Sequence, residues 1–309
     1  MELNSSALIF PGQGSQKIGM GKDLYDNYAV AKEVFLRVDN ALDFGLSELM
    51  FNGNQEELNN TSNAQPAIMA ASIAYFEVLK KLGLINIDDV KFMAGHSLGE
   101  YSALCAAGVL TLEDTARLLK YRGQYMMQAC KENLGSMAAL IGVDYAKAKA
   151  IADECGCFVG NSNSPAQIVL SGNTSSIEKA CEVAKEQGVK RAVILPVSGA
   201  FHSPLMQSAA DKMVDVINNA KFMLPNVDVI SNLTAKPYEN TDEIKDLLIK
   251  QITNTVKWQE SVCYIAENGA HKFIEVGFGN VLSGLIKKIL PDTVIETSED
   301  LLKTLDEGV

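Results

Sequence analysis

The chain alternates short, unbroken apolar runs with longer stretches in which apolar residues recur at the spacing of one helix face. Ala7–Phe10 and Val90–Ala94 are too short for helices and are bounded by turn-forming or polar residues, which predicts two buried strands. Between them, one segment reads as a helix with Pro66 in its first turn, Phe76 and Leu79 on its apolar face and Gly83 as its stop. From about residue 128 to 197 the rhythm changes. Met137–Val143 reads as strand, Tyr145–Glu154 as helix, Phe158–Asn161 and Gln167–Ser171 as paired strands, Ser176–Gln187 as helix and Arg191–Val197 as strand. Beyond it the alternation returns, with strands at Asp228–Ser231 and Lys272–Val276 and helices at Glu243–Ile252 and Val281–Leu290.

With 309 residues and 47 % of them hydrophobic, the chain can bury a sizeable core. The net charge of −11 argues against nucleic acid or an anionic membrane as partner. No apolar run approaches a membrane span, and the opening Met-Glu-Leu-Asn-Ser-Ser has neither the basic nor the apolar region of a signal peptide. The six cysteines are scattered without a Cys-x-x-Cys pair, and Cys155-Gly-Cys157 has no further ligand close in sequence. A reducing, cytoplasmic setting and no metal are the expectations.

The chemistry concentrates at Gly95-His96-Ser97-Leu98-Gly99, between the predicted strand Val90–Ala94 and the small-residue helical run Tyr101–Ala107. This is a G-x-S-x-G nucleophile elbow in the strand, turn, helix context it requires. Ser97 is the candidate nucleophile, and the N–H of Leu98, the residue after it, is a candidate oxyanion donor. The host expected is α/β: a parallel-sheet, α/β-hydrolase-like core of residues 1–127 and 198–309, with an inserted ferredoxin-like βαββαβ subdomain at 128–197. A ligand cleft between the two units follows, with Ser97 on one wall.

Three histidines are available as base. His96 adjoins Ser97 on a sharp turn, where neighbouring side chains diverge. His271 opens the apolar run Lys272–Val276 and reads as a strand-edge residue. His202 lies in the Gly/Ser/Pro-bounded loop Val197–Pro204 and is favoured, because loops at strand ends carry catalytic groups disproportionately. The Gly-rich segment after the first strand, Pro11-Gly-Gln-Gly-Ser, lacks both phosphate-loop spacings. Its other use is to present a backbone N–H beside the elbow, and Gln13 is the natural donor.

Phe-Pro-Gly-Gln-Gly-Ser-Gln at 10–16, Gln65-Pro66-Ala67, Gly-His-Ser-Leu-Gly-Glu at 95–100, Arg122-Gly123, Gly-Ala-Phe-His-Ser at 199–203, Gln251 and Glu275-Val-Gly277 fall in one order. In that order the chain resembles the malonyl-CoA:acyl carrier protein transacylases of type II fatty acid synthesis, from about residue 5 to about residue 300. The resemblance implies a ping-pong malonyl transfer through a malonyl-Ser97 ester, with malonyl-CoA and acyl carrier protein as partners and a monomeric enzyme. No cofactor is implied, since the phosphopantetheine belongs to the carrier. It also implies that a backbone carbonyl, here that of Gln251, orients His202, and that Phe201 fills the space a 2-methyl branch would need.

Arg122 is one of four arginines. A malonyl carboxylate calls for a fixed fork of donors that lysine lacks. By itself Arg122 reads as a solvated residue beside a helix break at Gly123; the match to the family makes it the carboxylate partner. His96, Asn161 and Asn163 are further substrate-binding candidates, the asparagines along the acyl or pantetheine path. Thr255 and Phe278 stand where the family usually has proline, so loop geometry is expected to differ there. Besides a non-enzymatic binding module, which the full set of Ser97, His202, Arg122 and Gln13 disfavours, two other readings stay open. A discrete acyltransferase of a polyketide synthase would share all this chemistry. A serine esterase or thioesterase would follow the order Ser, acid, His, favour His271 and give Arg122 no role.

Overall fold

The computed structural model of the protein describes residues 5–197 and 199–306. The first four residues of the segment read above for a leader, and Ser198 of the His202 loop, lie outside the described residues. The strands are β1 (Ser6–Phe10), β2 (Val90–Gly95), β3 (Gly135–Ile141), β4 (Phe158–Ser164), β5 (Gln167–Asn173), β6 (Arg191–Ile194), β7 (Asp228–Ile230), β8 (Lys272–Glu275) and β9 (Val294–Thr297). They form two separate sheets, a five-stranded one in the order β7-β2-β1-β8-β9 and a four-stranded one in the order β4-β5-β3-β6.

Every described pairing in the larger sheet is parallel. β1 is buried along its whole length, which explains its uninterrupted apolar sequence: both faces are covered. Leu8 and Phe10 point into the core built with the Thr61–Lys81 and Leu112–Glu132 helices, whereas Ala7 and Ile9 pack on the other side with Trp258 and Phe273. Phe10 is in register with Gly95, so the segments after β1 and β2 leave the sheet side by side at its carboxyl edge. From β1 the chain crosses to β2 on one flank, and β8 joins on the other. In an open parallel sheet such a switch point is where a ligand cleft forms.

The smaller sheet is antiparallel throughout its described pairs and has its own core, in which Leu140, Ile168 and Leu170 pack with Ile151 and Ile177 of two helices. Its order is that of a βαββαβ unit, as the alternation of elements implies. The two sheets are tied where Val256 runs beside β4: Ser162 N–H donates to the Val256 carbonyl and Val256 N–H to the Gly160 carbonyl, each at 2.9 Å. Among the described residues no helix is long and apolar enough to cross a membrane.

Local rules misread two residues. Pro66 is the sixth residue of its helix, not part of the first turn, because Asn60 caps the end earlier by accepting from the Ser62 N–H at 3.1 Å. Gly123 breaks nothing: the Leu112–Glu132 helix runs straight through it. A Cβ there would lie 2.5 Å from the Thr61 carbonyl oxygen and 2.6 Å from the Ser62 Cα. The glycine lets two helices touch backbone to backbone, which is how Arg122 reaches the interior. β6 also ends at Ile194, three residues short of expectation, and β9 with the Ser298–Asp306 helix had no sequence prediction.

Gly123→Ala is therefore expected to destabilise the fold by about 1–3 kcal/mol through overpacking. Gly284→Ala, in the Val281–Ile289 helix with nothing within 4 Å of the added methyl, should stabilise it by about 0.5–1 kcal/mol. Denaturant midpoints of the two variants measure both.

Candidate active site

Ser97 has φ 55° and ψ −109°, a conformation that costs a non-glycine residue about 1–3 kcal/mol. The turn is that sharp because it closes onto β1: a Cβ on Gly95 would sit 1.9 Å from the Gly99 carbonyl oxygen, and one on Gly99 would sit 2.2 Å from that of Phe10. Asn232, just beyond β7, holds the strained backbone. Its Oδ1 accepts the Ser97 N–H at 2.7 Å and its Nδ2 donates to the Gly95 carbonyl at 2.7 Å. Ser97 thus sits at the N-terminus of the Leu98–Ala106 helix, at the positive end of its dipole. The N–H groups of Gln13 and Leu98 have no partner among the described residues.

His202 Nε2 is 2.8 Å from Ser97 Oγ, and His202 Nδ1 is 2.8 Å from the Gln251 carbonyl oxygen. A carbonyl can only accept, so Nδ1 carries the proton and the Nε2 lone pair faces the serine hydroxyl. Phe201 fixes the loop, its carbonyl accepting from Ser171 Oγ at 2.6 Å. Burial, with the neighbouring Arg122 charge, pushes the His202 pKa down to about 3. The imidazole is consequently neutral at any ordinary pH.

Arg122 is 1 % exposed. Its Nη1 donates to Gln65 Oε1 at 2.8 Å, and its Nη2 to Gln251 Oε1 at 2.7 Å and to Ser97 Oγ at 3.1 Å. The guanidinium also stands 5.6 Å from the centre of the Tyr101 ring. The other end of the Gln251 amide donates to the Ser97 carbonyl at 2.9 Å and to Glu100. Glu100 in turn accepts from the Tyr238 hydroxyl and, at 3.0 Å, from the Asn232 N–H. Burial lifts its pKa to about 7 against these donors.

These groups meet at a cleft of about 530 Å³ lined by Gln13, His96, Ser97, Arg122, Asn161, Phe201 and His202, with Met126, Met137 and Leu195–Val197 forming apolar wall. Asn161 Oδ1 is buried without a partner among the described residues. Asn163 stands behind His96 and is not part of the cleft lining: its Oδ1 is 2.9 Å from His96 Nε2, and the imidazole leans on Trp258 at 5.7 Å between ring centres. His96 is thereby pinned as wall. His271 lies at the opposite edge of the sheet, its N–H bonded to the Ser5 carbonyl before β8 begins, so the length of that strand separates it from the elbow. Thr255 forms a specific tie, Oγ1 donating to the Val159 carbonyl at 2.6 Å, and Phe278 packs against the main core.

Sequence reasoning gave no role to Gln65, Glu100, Asn232 or Tyr238. Gln65 and Glu100 carried a signal, since both lie within the ordered motifs and Glu100 is an acid in a small, apolar helical run. Asn232 and Tyr238 carried none, as their partners are more than 130 positions away.

A family model described as Acyl transferase domain matches residues 7–300. The chain is 44 % identical over 292 residues to the malonyl CoA-acyl carrier protein transacylase of Bacillus subtilis (strain 168), covering 93 % of this chain and 91 % of that protein. It superposes with a TM-score of 0.94 and 44 % identity on the crystal structure of the acyl-carrier-protein-S-malonyltransferase of Bartonella henselae, covering 99 % of this chain and all of that one. A malonyl-transacylase solved in complex with a type II PKS acyl-carrier protein matches at 0.91 and 36 % identity, with 98 % and 99 % coverage.

His202→Ala is expected to slow acylation of Ser97 by an activated ester about 10²–10⁴-fold, whereas His271→Ala should leave the rate as it is. With the neutral imidazole as the candidate base, rate is expected to be lost only as pH falls through the depressed His202 value. The acylation rate should stay flat across the ordinary imidazole range of about pH 6–7. An acid limb within that range would contradict the buried, arginine-flanked geometry.

Proposed function

We propose the reaction of this site from the premise that the chain belongs to the acyl transferase domain family, among malonyl CoA-acyl carrier protein transacylases. The protein is an acyltransferase that moves malonyl from malonyl-CoA to the phosphopantetheine thiol of acyl carrier protein, for fatty acid synthesis. One observation carries the substrate class. A fully buried arginine, with only neutral oxygens as direct partners, donates to the hydroxyl of the candidate nucleophile. A cation so placed matches an acyl group with a free carboxylate close to its thioester carbon.

In the first half-reaction the Ser97 hydroxyl attacks the thioester carbonyl while its proton passes to His202 Nε2. The Gln13 and Leu98 N–H groups receive the oxyanion at the helix N-terminus. The carbon–sulfur bond breaks, and the leaving thiolate takes the proton from His202. In the second, the carrier thiol gives its proton to His202, sulfur attacks the ester carbon, and Ser97 recovers the proton as its bond to the acyl group breaks. Arg122 pairs with the malonyl carboxylate in both. The Gln251 carbonyl holds the His202 tautomer throughout, and as a neutral acceptor it stabilises imidazolium less than a carboxylate would. Phe201 closes the space beside the malonyl methylene, and one excluded methyl yields only about 1–3 kcal/mol of selectivity. His96 and Asn161 line the approach of the acyl-pantetheine arm, and Asn163 braces His96. The protein acts as a monomer in the cytoplasm without a cofactor of its own.

The similarity to a transacylase solved with a type II PKS carrier supports a second reading of context, in which the acceptor belongs to polyketide synthesis. Transfer rates to the two carrier types from the same organism separate these contexts.

Intact-protein mass spectrometry after brief exposure to malonyl-CoA should show one malonyl adduct on Ser97, discharged on adding acyl carrier protein. An adduct lost to water at the same rate without carrier would instead indicate a hydrolase, and one that neither carrier nor water removes would contradict transfer to the carrier. Arg122→Ala should lose malonyl transfer while retaining or gaining transfer from acetyl-CoA, which has no carboxylate to pair. Equal loss with both acyl groups would contradict the clamp.

A further inference from the structure

We propose that Glu100 is a positioning residue for the carboxylate clamp, acting through the side-chain amide of Gln251, and that this amide keeps the Glu100 carboxylate out of the Arg122 fork. The inference rests on reading Arg122 as the partner of the malonyl carboxylate. Both charged side chains are 1 % exposed and belong to neighbouring elements behind the elbow. Two buried opposite charges so close would ordinarily meet as a bidentate pair, which satisfies both. They do not: among the described residues no ion pair includes either one.

The Gln251 amide stands between them. Its Nε2 donates to Glu100 and to the Ser97 carbonyl, which leaves only Oε1 for the Arg122 Nη2. An amide has one accepting and one donating end, so a carboxylate that takes the donating end fixes which end the arginine meets. Glu100 is itself held by the Tyr238 hydroxyl and the Asn232 N–H. The Glu100 carboxyl thus stands two hydrogen bonds from the buried arginine. The arginine Nε is buried without a partner among the described residues. The bond from Nη2 to Ser97 Oγ is the longest of the three it makes, at 3.1 Å, and is the one an arriving carboxylate displaces. A carboxylate in direct contact would have filled the fork and repelled the substrate.

Glu100→Gln tests this with little change in shape. It sets an NH₂ group either against Gln251 Nε2 or against the Tyr238 and Asn232 donors. In the first arrangement the Gln251 amide turns over and presents a donor to a donor at Arg122. Gln251→Leu removes the relay but keeps the backbone carbonyl that orients His202. For each variant, kcat and KM are measured with malonyl-CoA and with acetyl-CoA, alongside thermal unfolding. The malonyl-to-acetyl ratio of kcat/KM is expected to fall about 10- to 100-fold in each, mainly through the malonyl KM, as for the loss of one hydrogen bond to a charged group. The double variant should lower the ratio little further than Gln251→Leu alone, because both act along one path. If the ratio holds while both acyl groups slow together, Glu100 only supports packing and the inference is wrong. Should Glu100→Gln not fold, the ratio in Gln251→Leu decides. An unaltered protein that takes no malonyl group onto Ser97 would instead overturn the proposed reaction itself.

Discussion

The contact between the Gly95–Gly99 turn and the end of β1 is the constraint on which the rest of the site depends. With glycine at both positions, the turn closes until Gly99 lies against the Phe10 carbonyl, and Ser97 is forced into a backbone conformation that few L-residues adopt. That conformation puts the serine hydroxyl above the sheet edge and the first free N–H of the following helix beside it. Asn232 holds the strained turn by bonding the Gly95 carbonyl and the Ser97 N–H, and the Gln251 amide holds it from the Ser97 carbonyl. The loop carrying Gln13 comes alongside for the same reason, since it leaves the neighbouring strand in register with the turn.

Electrostatics then divides the labour among neighbours. The group behind His202 is a carbonyl and the charge in front of it is Arg122, so both burial and repulsion keep the imidazole neutral. A substrate carboxylate at Arg122 would offset that positive charge. On the proposed reading, the imidazole is then easier to protonate with a carboxylate-bearing acyl group in place than without one. Gln251 links the same groups: its backbone serves the base, and its side chain serves both the arginine and the nucleophile's turn.

How much of this could be read from the chain follows from the range of each signal. The strands at β1 and β2, the elbow and the βαββαβ order were legible because apolar periodicity and glycine spacing act over a few residues. The same local rules failed where a residue answers to a distant partner. Pro66 and Gly123 were read as punctuation, yet one sits inside a helix capped earlier by Asn60 and the other marks where two helices touch. β9 was missed because Val294–Thr297 is an edge strand with too little apolar character to register.

The sequence by itself determined the class of fold, the nucleophile's turn and the short set of side chains from which a base, an oxyanion donor and a carboxylate partner had to come. It favoured His202 over His271 through loop position and the motif match at 199–203, and it read Arg122, apart from the family match, as a solvated residue. The tertiary structure decided the distances: the 2.8 Å between Ser97 and His202 spans 105 positions of sequence, and the Arg122 to Gln251 bond spans 129. It also decided that Glu100, Tyr238 and Asn232 stand behind the reacting groups. Packing sets these relations, because a buried polar atom must take whichever partner the neighbouring elements bring within reach, and no pattern along the chain records that choice.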